Sequence, residues 1–277
     1  MSGIVAMAGD VLREAKSRRW FLGLWLAITL LLAIGLGLRM DVVDGALAAT
    51  RLFGKTLGGD IRSAEVALRP VFEAAAYVLF YGGLAFGIVA CSDFATSLLS
   101  PGRIEHLLSF PVRRWEVLAG TFLGVMCLVL ASSLYAATGM VVLLGVKTGV
   151  WTARPLAAAV LAAFGFAPIY SSMLGAALLV RSAALSAASG ALMMGLGIAA
   201  SYRTGLATLF EPGIRRGAFQ VALAAIPRIS RLADLSAALA ASHPMKIGAL
   251  VLLLLGFSAF SLALLALGAW YFELKDF

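Results

Sequence analysis

The residues best suited to contact a partner stand in one charged interruption between two long apolar runs, at 92–115. Ser100 and Pro101 favour a helix start, and Pro111 ends the helical pattern. The helix predicted between them has apolar residues along one face and charged residues on the others. Such a helix suits a segment that is displaced by contact with a soluble protein. Its candidate contact residues are Pro101, Gly102, Arg103, Ile104, Glu105, His106, Leu107 and Leu108.

A basic group follows the short helix, at the start of the next apolar run. Arg113, Arg114 and Trp115 form a cationic and aromatic cluster that is typical of the membrane–water interface. The interruption therefore lies at one membrane surface, where two spans meet.

This segment resembles the permease subunits of ABC-2 type transporters. The family pattern G-x-[IL]-E-x-L-L-[ST]-x-P-[VL]-x-R precedes a long helix that opens with L-x-G-K-[FY]-L-G. Thr121 departs from it, because lysine is common at that place in the family. The matching residues are Gly102, Ile104, Glu105, Leu107, Leu108, Ser109, Pro111, Val112, Arg114, Leu118, Gly120, Phe122, Leu123 and Gly124.

Other chemistries have little support in the sequence. His106 and His243 have no Cys, Asp or Glu at ligand spacing, so no metal site is predicted. Gly54-Lys55-Thr56 resembles the end of a phosphate-binding loop, but Ala49 stands where the leading glycine belongs. The sequence also lacks the G-x-S-x-G pattern of serine hydrolases. We therefore expect no catalytic residues and no cofactor bound by this chain.

Composition places the chain in a membrane. Of its 277 residues, 62% are hydrophobic and 13% are charged, whereas soluble domains have roughly 25% charged residues. The net charge of +8 suits basic loops against anionic lipid headgroups better than nucleic acid, which is not an expected partner. Cys91 and Cys127 both fall in or beside apolar runs, so they predict neither a disulfide framework nor a metal cluster.

The apolar runs predict a single all-α membrane domain, 1–277, with six spans. Each run reaches the roughly twenty residues that a bilayer requires. Pro168 is expected to kink the fourth run, with Ser171 and Ser172 available to satisfy the freed backbone groups. The predicted spans are 20–38, 71–91, 116–146, 155–180, 182–202 and 247–272.

Residues 1–19 predict an amphipathic helix that lies along the membrane surface. Apolar residues recur at helical spacing, and charged residues occupy the rest of the wheel. A signal peptide is the alternative, but the long amphipathic lead-in favours a retained helix. The apolar stripe consists of Ile4, Val5, Ala8, Val11, Leu12 and Ala15.

Two longer segments are expected on the opposite side of the membrane. Residues 39–70 are mixed in charge and contain a glycine-rich turn. Residues 203–246 hold two helical patterns too short to span, at about 214–225 and 229–241, and the resemblance implies a pair of re-entrant helices there. Four cations of this segment form a predicted outer basic group for an anionic cargo or for lipid headgroups: Arg215, Arg216, Arg228 and Arg231.

The energy source is expected to lie outside the chain. The centres of the predicted spans contain no Asp, Glu, Lys, Arg or His, whereas ion-coupled carriers place such residues at depth. A separate ATPase is the remaining source, because the chain has no nucleotide site of its own. A lipid-modifying membrane enzyme and a structural scaffold are the alternatives.

The resemblance extends these expectations. It implies the membrane subunit of an exporter that works as a dimer with ATP-binding cassette ATPase subunits, which bind ATP and Mg²⁺. The coupling contacts would include Arg113, Arg114 and Arg181. Lys and Arg have similar densities on both sides, so orientation depends on the first helix and on the resemblance. Both place the two termini in the cytoplasm, with the protein in the inner membrane.

Overall fold

Helices make up most of the computed structural model, which describes residues 3–17, 19–43, 46–52, 55–58, 62–99, 113–211 and 213–274. In chain order they are α1 (Gly3–Ser17), α2 (Arg19–Leu36), α3 (Ala64–Leu98), α4 (Arg114–Thr148), α5 (Arg154–Gly165), α6 (Ala167–Val180), α7 (Ala183–Ser201), α8 (Arg203–Leu206), α9 (Ile214–Ala224), α10 (Ile229–Ala240) and α11 (Ile247–Leu274). A short 3-10 turn, Ala207–Leu209, follows α8.

The structure is that of a membrane-embedded helical protein. Within the described residues, five stretches are long and apolar enough to cross a bilayer, and they coincide with the predicted second to sixth spans. These stretches are Leu68–Ser97, Arg114–Thr148, Arg154–Val180, Ala183–Ser201 and Ile247–Leu274. The predicted first span falls on α2, where a shorter apolar helix, Gly23–Gly35, is described.

A small antiparallel sheet between α2 and α3 was not predicted. Its strands are β1 (Leu38–Val43), β2 (Ala46–Leu52), β3 (Lys55–Gly58) and β4 (Arg62–Ser63). Strand β2 pairs with β1 on one side and with β3 and β4 on the other. The all-α prediction thus holds for the spans but not for this connection, where short strands pair by backbone hydrogen bonds and need little apolar surface.

The fourth span, which was predicted to kink at Pro168, is divided into two helices just before this proline. Helix α5 ends at Gly165, and α6 begins at Ala167, with Pro168 in its first turn. Proline lacks the N–H that would continue the α-helical ladder, so the chain turns at this point. The predicted serines bond elsewhere, because Ser171 Oγ donates to the Ala167 carbonyl at 2.9 Å. Serine inside a helix reaches the carbonyl three or four residues before it, not the one that proline leaves.

The broken span is the centre of the core. Phe166 and Tyr170 are fully buried and stack with their centroids 5.9 Å apart. Helix α7 packs on α6 through hydroxyls, because Ser186 Oγ donates to the Met173 carbonyl at 3.1 Å. A Cβ on Gly190 would come within 2.8 Å of the Met173 side chain, so this helix pair is closely packed.

Consecutive spans alternate in direction, so the helix ends gather at two ends of the bundle. We call the end with α1 and the start of α4 the α1 end, and the end with α9 and α10 the α10 end. Helix α10 is inserted among α3, α5 and α7, and it buries most of one face. Ser236 Oγ fixes it by donating to the Ala158 carbonyl of α5 at 3.0 Å.

Candidate functional site

A large apolar groove lies between α2, α3, α4 and α5. Its volume is about 550 Å³, and its lining comes from all four helices. The lining is aliphatic or small except for Phe86 and three polar groups, the hydroxyls of Ser132 and Ser133 and the thiol of Cys91. Among the described residues, no charged side chain contributes to the lining. A space of this kind accommodates an apolar molecule or chain, since pockets for such ligands are mostly apolar with few polar groups.

Helix α2 forms one wall of the groove and is held on α4 at two levels. Trp25 stacks on Tyr135 with the ring centroids 4.5 Å apart, and Thr29 Oγ1 shares a 2.9 Å hydrogen bond with the Tyr135 hydroxyl. One turn further along, Leu32 contacts α4 at Gly139, where a Cβ would leave it no room. The wall is therefore fixed by aromatic packing and by a notch in α4.

Lys147 closes the groove toward the α10 end. Lys147 follows the groove-lining residues Leu143 and Leu144 by about one helical turn. Its Nζ donates to the Gly35 carbonyl of α2 at 3.2 Å. The side chain therefore links α2 to α4 where the apolar lining ends.

Helix α1 lies directly on α4 at the α1 end. Met7, Val11 and Ala15, which are one turn apart, are buried. They pack over Gly120 and Gly124, where a Cβ would come within 2.5 Å of Met7 Cβ and 2.8 Å of Val11 Cβ, respectively. The two glycines form a small-xxx-small notch that lets the helix backbones approach closely. The sequence showed this spacing, but such pairs are frequent by chance in glycine-rich membrane proteins.

The buried stripe of α1 differs from the predicted one. Val11 and Ala15 are buried as predicted, whereas Val5 and Leu12 remain 53% and 41% exposed. The face of α1 that contains Met7 packs into the notch in α4. The rest of the apolar surface of α1 faces away from the helix bundle. Helical spacing alone predicts that an apolar face exists, but not which part of it meets a protein surface.

The same helix also contacts the end of α3. Ser97 Oγ donates to Glu14 Oε1 at 3.0 Å, across 83 positions of the sequence. Ser97 lies in the last turn of α3, which extends to Leu98 and so covers the first residues of the interruption predicted at 92–115. Helix α1 therefore joins the two helices that flank the interruption, α3 and α4.

Most of the predicted coupling residues, 101–108, lie outside the described residues. The three described members of that set are near helix ends. Arg113 is exposed, and its backbone N–H donates to Glu116 Oε2 at 2.9 Å. Arg114 Nη1 donates to the carbonyl of Phe272 at 3.0 Å and to that of Glu273 at 3.2 Å. Arg114 thus binds the last turn of α11, a contact that sequence spacing does not reveal.

Arg181 ends α6 in a left-handed conformation. Its φ is 52° and its ψ is 35°, and its backbone N–H donates to the Ala177 carbonyl at 2.9 Å. Ser182 then caps α7 by accepting a hydrogen bond from Leu185 N at 3.5 Å. The exposed arginine therefore occupies a tight turn between two spans.

The predicted outer basic group divides into two parts. Arg215 and Arg216 lie in the first turn of α9, and Arg215 is exposed. Arg228 immediately precedes α10, and Arg231 is in its first turn. Burial lowers the pKa of Arg228, and the nearby charges of Arg203 and Arg231 lower it further. Arg203, which the sequence prediction omitted, thus belongs with Arg228 and Arg231.

Polar contacts between α3 and α10 were also missed. The Tyr77 hydroxyl donates to Asp234 Oδ1 at 3.0 Å. His243 Nε2 lies 3.8 Å from Glu73 Oε2, although no acidic residue stands at ligand spacing around His243. These partners are more than 150 positions apart, so a local pattern carries no signal of them. Among the described residues, no group of three or more His, Cys, Asp or Glu is placed to hold a metal ion.

No protein-family model matches the chain, and no curated protein is significantly similar to it.

Proposed function

We propose that this chain is the membrane subunit of an ABC-2 type transporter, and that it acts as an exporter. It forms the pathway for the cargo, and two copies work with two ATP-binding cassette ATPase subunits that bind ATP and Mg²⁺. The protein resides in the inner membrane with the α1 end and both termini in the cytoplasm. The groove between α2, α3, α4 and α5 takes the apolar part of the cargo.

The uncharged groove is the observation that carries this proposal. An ion-driven carrier needs ionisable or carbonyl ligands where its driving ion binds. The lining offers two hydroxyls and one thiol among aliphatic side chains, a set that suits passage of an apolar molecule. Chemical energy then has to be delivered from elsewhere, and a separate ATPase is the source that the resemblance implies.

The position of α1 supports delivery of that energy at the α1 end. Helix α1 is packed in the notch of Gly120 and Gly124 and is bonded to Ser97. A displacement of the segment between α3 and α4 would therefore be transmitted to three connected helices, α1, α3 and α4. Helices α2 and α3 also line the groove, and both contact α4. Packed side chains can therefore transmit the displacement to the cargo pathway.

A membrane enzyme and a scaffold are the two competing functions. A lipid-modifying enzyme requires a group of polar side chains at the reacting bond, and the described residues that line the groove do not supply one. A scaffold has no use for a cavity of about 550 Å³ between its spans. Neither alternative gains a specific observation from the described residues.

The proposal is tested by the coupling of ATP hydrolysis to this chain. The tagged chain is purified from its native membrane in mild detergent, its co-purifying ATPase is identified, and both are reconstituted in liposomes. We expect ATP hydrolysis to depend on the chain and Glu105→Arg to abolish that dependence while membrane insertion is retained. The absence of an associated ATPase, or unchanged hydrolysis when the chain is omitted, would contradict the proposal.

A matched control makes the same charge reversal at the opposite end. Glu211 is exposed beyond α8, at the α10 end. Glu211→Arg should leave both assembly and ATP hydrolysis at the parental level. Equal losses in the two variants would mean that charge reversal itself, and not the interruption at 92–115, disturbs the complex.

A further inference from the structure

Three arginines lie close to the point where α7 ends and α10 begins, and the charges of Arg203 and Arg231 act on Arg228. Ser230 N, in the first turn of α10, donates to Ser201 Oγ at the end of α7 at 3.1 Å. One turn earlier in α7, a Cβ on Gly197 would come within 3.0 Å of the Pro227 carbonyl. This close junction brings together Arg203, which is two residues past Ser201, with Arg228 and Arg231, which flank Ser230.

Within the described residues, no salt bridge joins the cations of this junction to the acidic residue nearest to them along α10. Asp234 lies one turn after Arg231, but its Oδ1 accepts the hydrogen bond of the Tyr77 hydroxyl. Among the described residues, no ion pair is formed by Arg203, Arg228 or Arg231. Burial and mutual repulsion accordingly lower the pKa of Arg228, so the junction gains stability from any anion placed between these guanidinium groups.

The start of α10 adds a favourable field for an anion. The first turn of α10 contains no acidic residue, and the side chain of its N-cap residue, Arg228, makes no capping hydrogen bond, although Ser201 Oγ accepts the N–H of Ser230. A helix N-terminus carries a partial positive charge, which here adds to the charge of the arginines. The Ser230 hydroxyl in that turn is buried and has no hydrogen-bond partner of good geometry, although Tyr81 lies beside it.

The junction lies inward from the surface of the bundle. Helix α10 runs from the interior of the bundle toward its α10 end. Near its start, Leu232 packs beside Gly165 in the middle of the fourth span. Just after its end, His243 lies close to Glu73 near the start of α3. At 1.5 Å per residue, its first residue lies roughly 16 Å along the helix from its last. Arg203 and Arg228 are half-buried there, and Arg231 is exposed, so a ligand reaches the group from outside.

We propose that Arg203, Arg228 and Arg231 form a binding site for a phosphate group at the start of α10. Arginine is suited to this ligand, because its planar guanidinium binds phosphate oxygens through two parallel hydrogen bonds. The phosphate belongs either to a phospholipid headgroup or to a soluble phosphate compound. This inference does not depend on the proposed transport function.

The test measures phosphate binding by the full chain in two arms. Native mass spectrometry measures retention of phosphatidylglycerol, and thermal unfolding in lipid-free detergent measures stabilisation by inorganic phosphate against chloride at equal ionic strength. We expect the parent chain to bind in at least one arm and Arg203→Gln/Arg228→Gln/Arg231→Gln to bind about a hundredfold more weakly. Loss in the first arm alone assigns a lipid headgroup, and loss in the second assigns a soluble phosphate.

Two further variants keep the result interpretable. Arg215→Gln/Arg216→Gln removes two nearby cations of α9 and should change either binding constant by less than about twofold. If the triple variant does not fold, Arg231→Gln alone removes an exposed side chain and should weaken binding about fivefold. Binding that is equal in the parent and in the glutamine variants, or that falls equally in the α9 control, would overturn the assignment.

Discussion

The contact between α1 and α4 makes a sharp prediction about two glycines. In Gly120→Ala, the new Cβ would come within 2.8 Å of the Ile4 carbonyl oxygen as well as 2.5 Å of Met7 Cβ. In Gly124→Ala, it would come within 3.0 Å of the Ala8 carbonyl oxygen. Backbone oxygens cannot rotate away as side chains do, so either alanine forces the whole of α1 to move.

The magnitude follows from comparison with an unobstructed glycine. Gly256 of α11 has nothing within 4 Å of an added Cβ, so Gly256→Ala gains only the helix propensity of alanine, about 1 kcal/mol. The α4 variants gain the same term but lose about 1–3 kcal/mol by overpacking. Relative to Gly256→Ala, their midpoints should therefore be lower by at least about 2 °C, since each kcal/mol shifts a chain of this size by about 2–4 °C.

Thermal unfolding of the purified chain in detergent measures these midpoints, and a labelling experiment locates the cause. Val11 is 3% exposed, so Val11→Cys should react slowly with a maleimide in the parent background. The same cysteine should react several times faster beside Gly120→Ala. Equal midpoints for the three alanine variants, together with unchanged labelling, would refute the placement of α1 on α4.

Three further substitutions test other contacts by thermal unfolding in the same detergent. Arg114→Gln removes two charge-assisted hydrogen bonds to the last turn of α11 and should cost about 1.5–3 kcal/mol, whereas an unchanged midpoint would mean that the arginine does not bind α11. Arg181→Gly should raise stability by up to about 1 kcal/mol, because glycine adopts a φ of 52° without strain; a lower midpoint would show that the side chain contributes more than the strain costs. Tyr77→Phe should cost about 1 kcal/mol, and a parental midpoint would indicate that the bond to Asp234 is not formed.

The spans and the proline break were predictable because each has a local cause. Long apolar runs predict helices whatever their neighbours are, and Pro168 cannot supply the N–H that a continuous helix needs. The two short helices after α8 were predictable for the same reason, since Pro227 divides them. In each case, one stretch of the chain carries the whole signal.

The sheet and the packing surfaces were harder to predict. Asp44-Gly45 is the dipeptide that favours a two-residue hairpin turn, and it stands between the ends of β1 and β2, but the short flanking strands alternate weakly. The burial of Met7 depends on a notch more than a hundred residues away. The grouping of Arg203 with Arg228 likewise depends on the junction of α7 with α10, which only the folded chain shows.

The break in the fourth span divides it into two helices, α5 and α6, that are joined at Phe166. The first of them, α5, is about 18 Å long, and it is bonded to α10 through the Ala158 carbonyl, about 12 Å from the joint. Swinging this helix by about 10° about the joint carries its far end through about 3 Å, the length of one hydrogen bond. A slight bend at Phe166 would therefore move the part of α10 around Ser236 more than its first turns, where Leu232 packs beside Gly165 next to the joint.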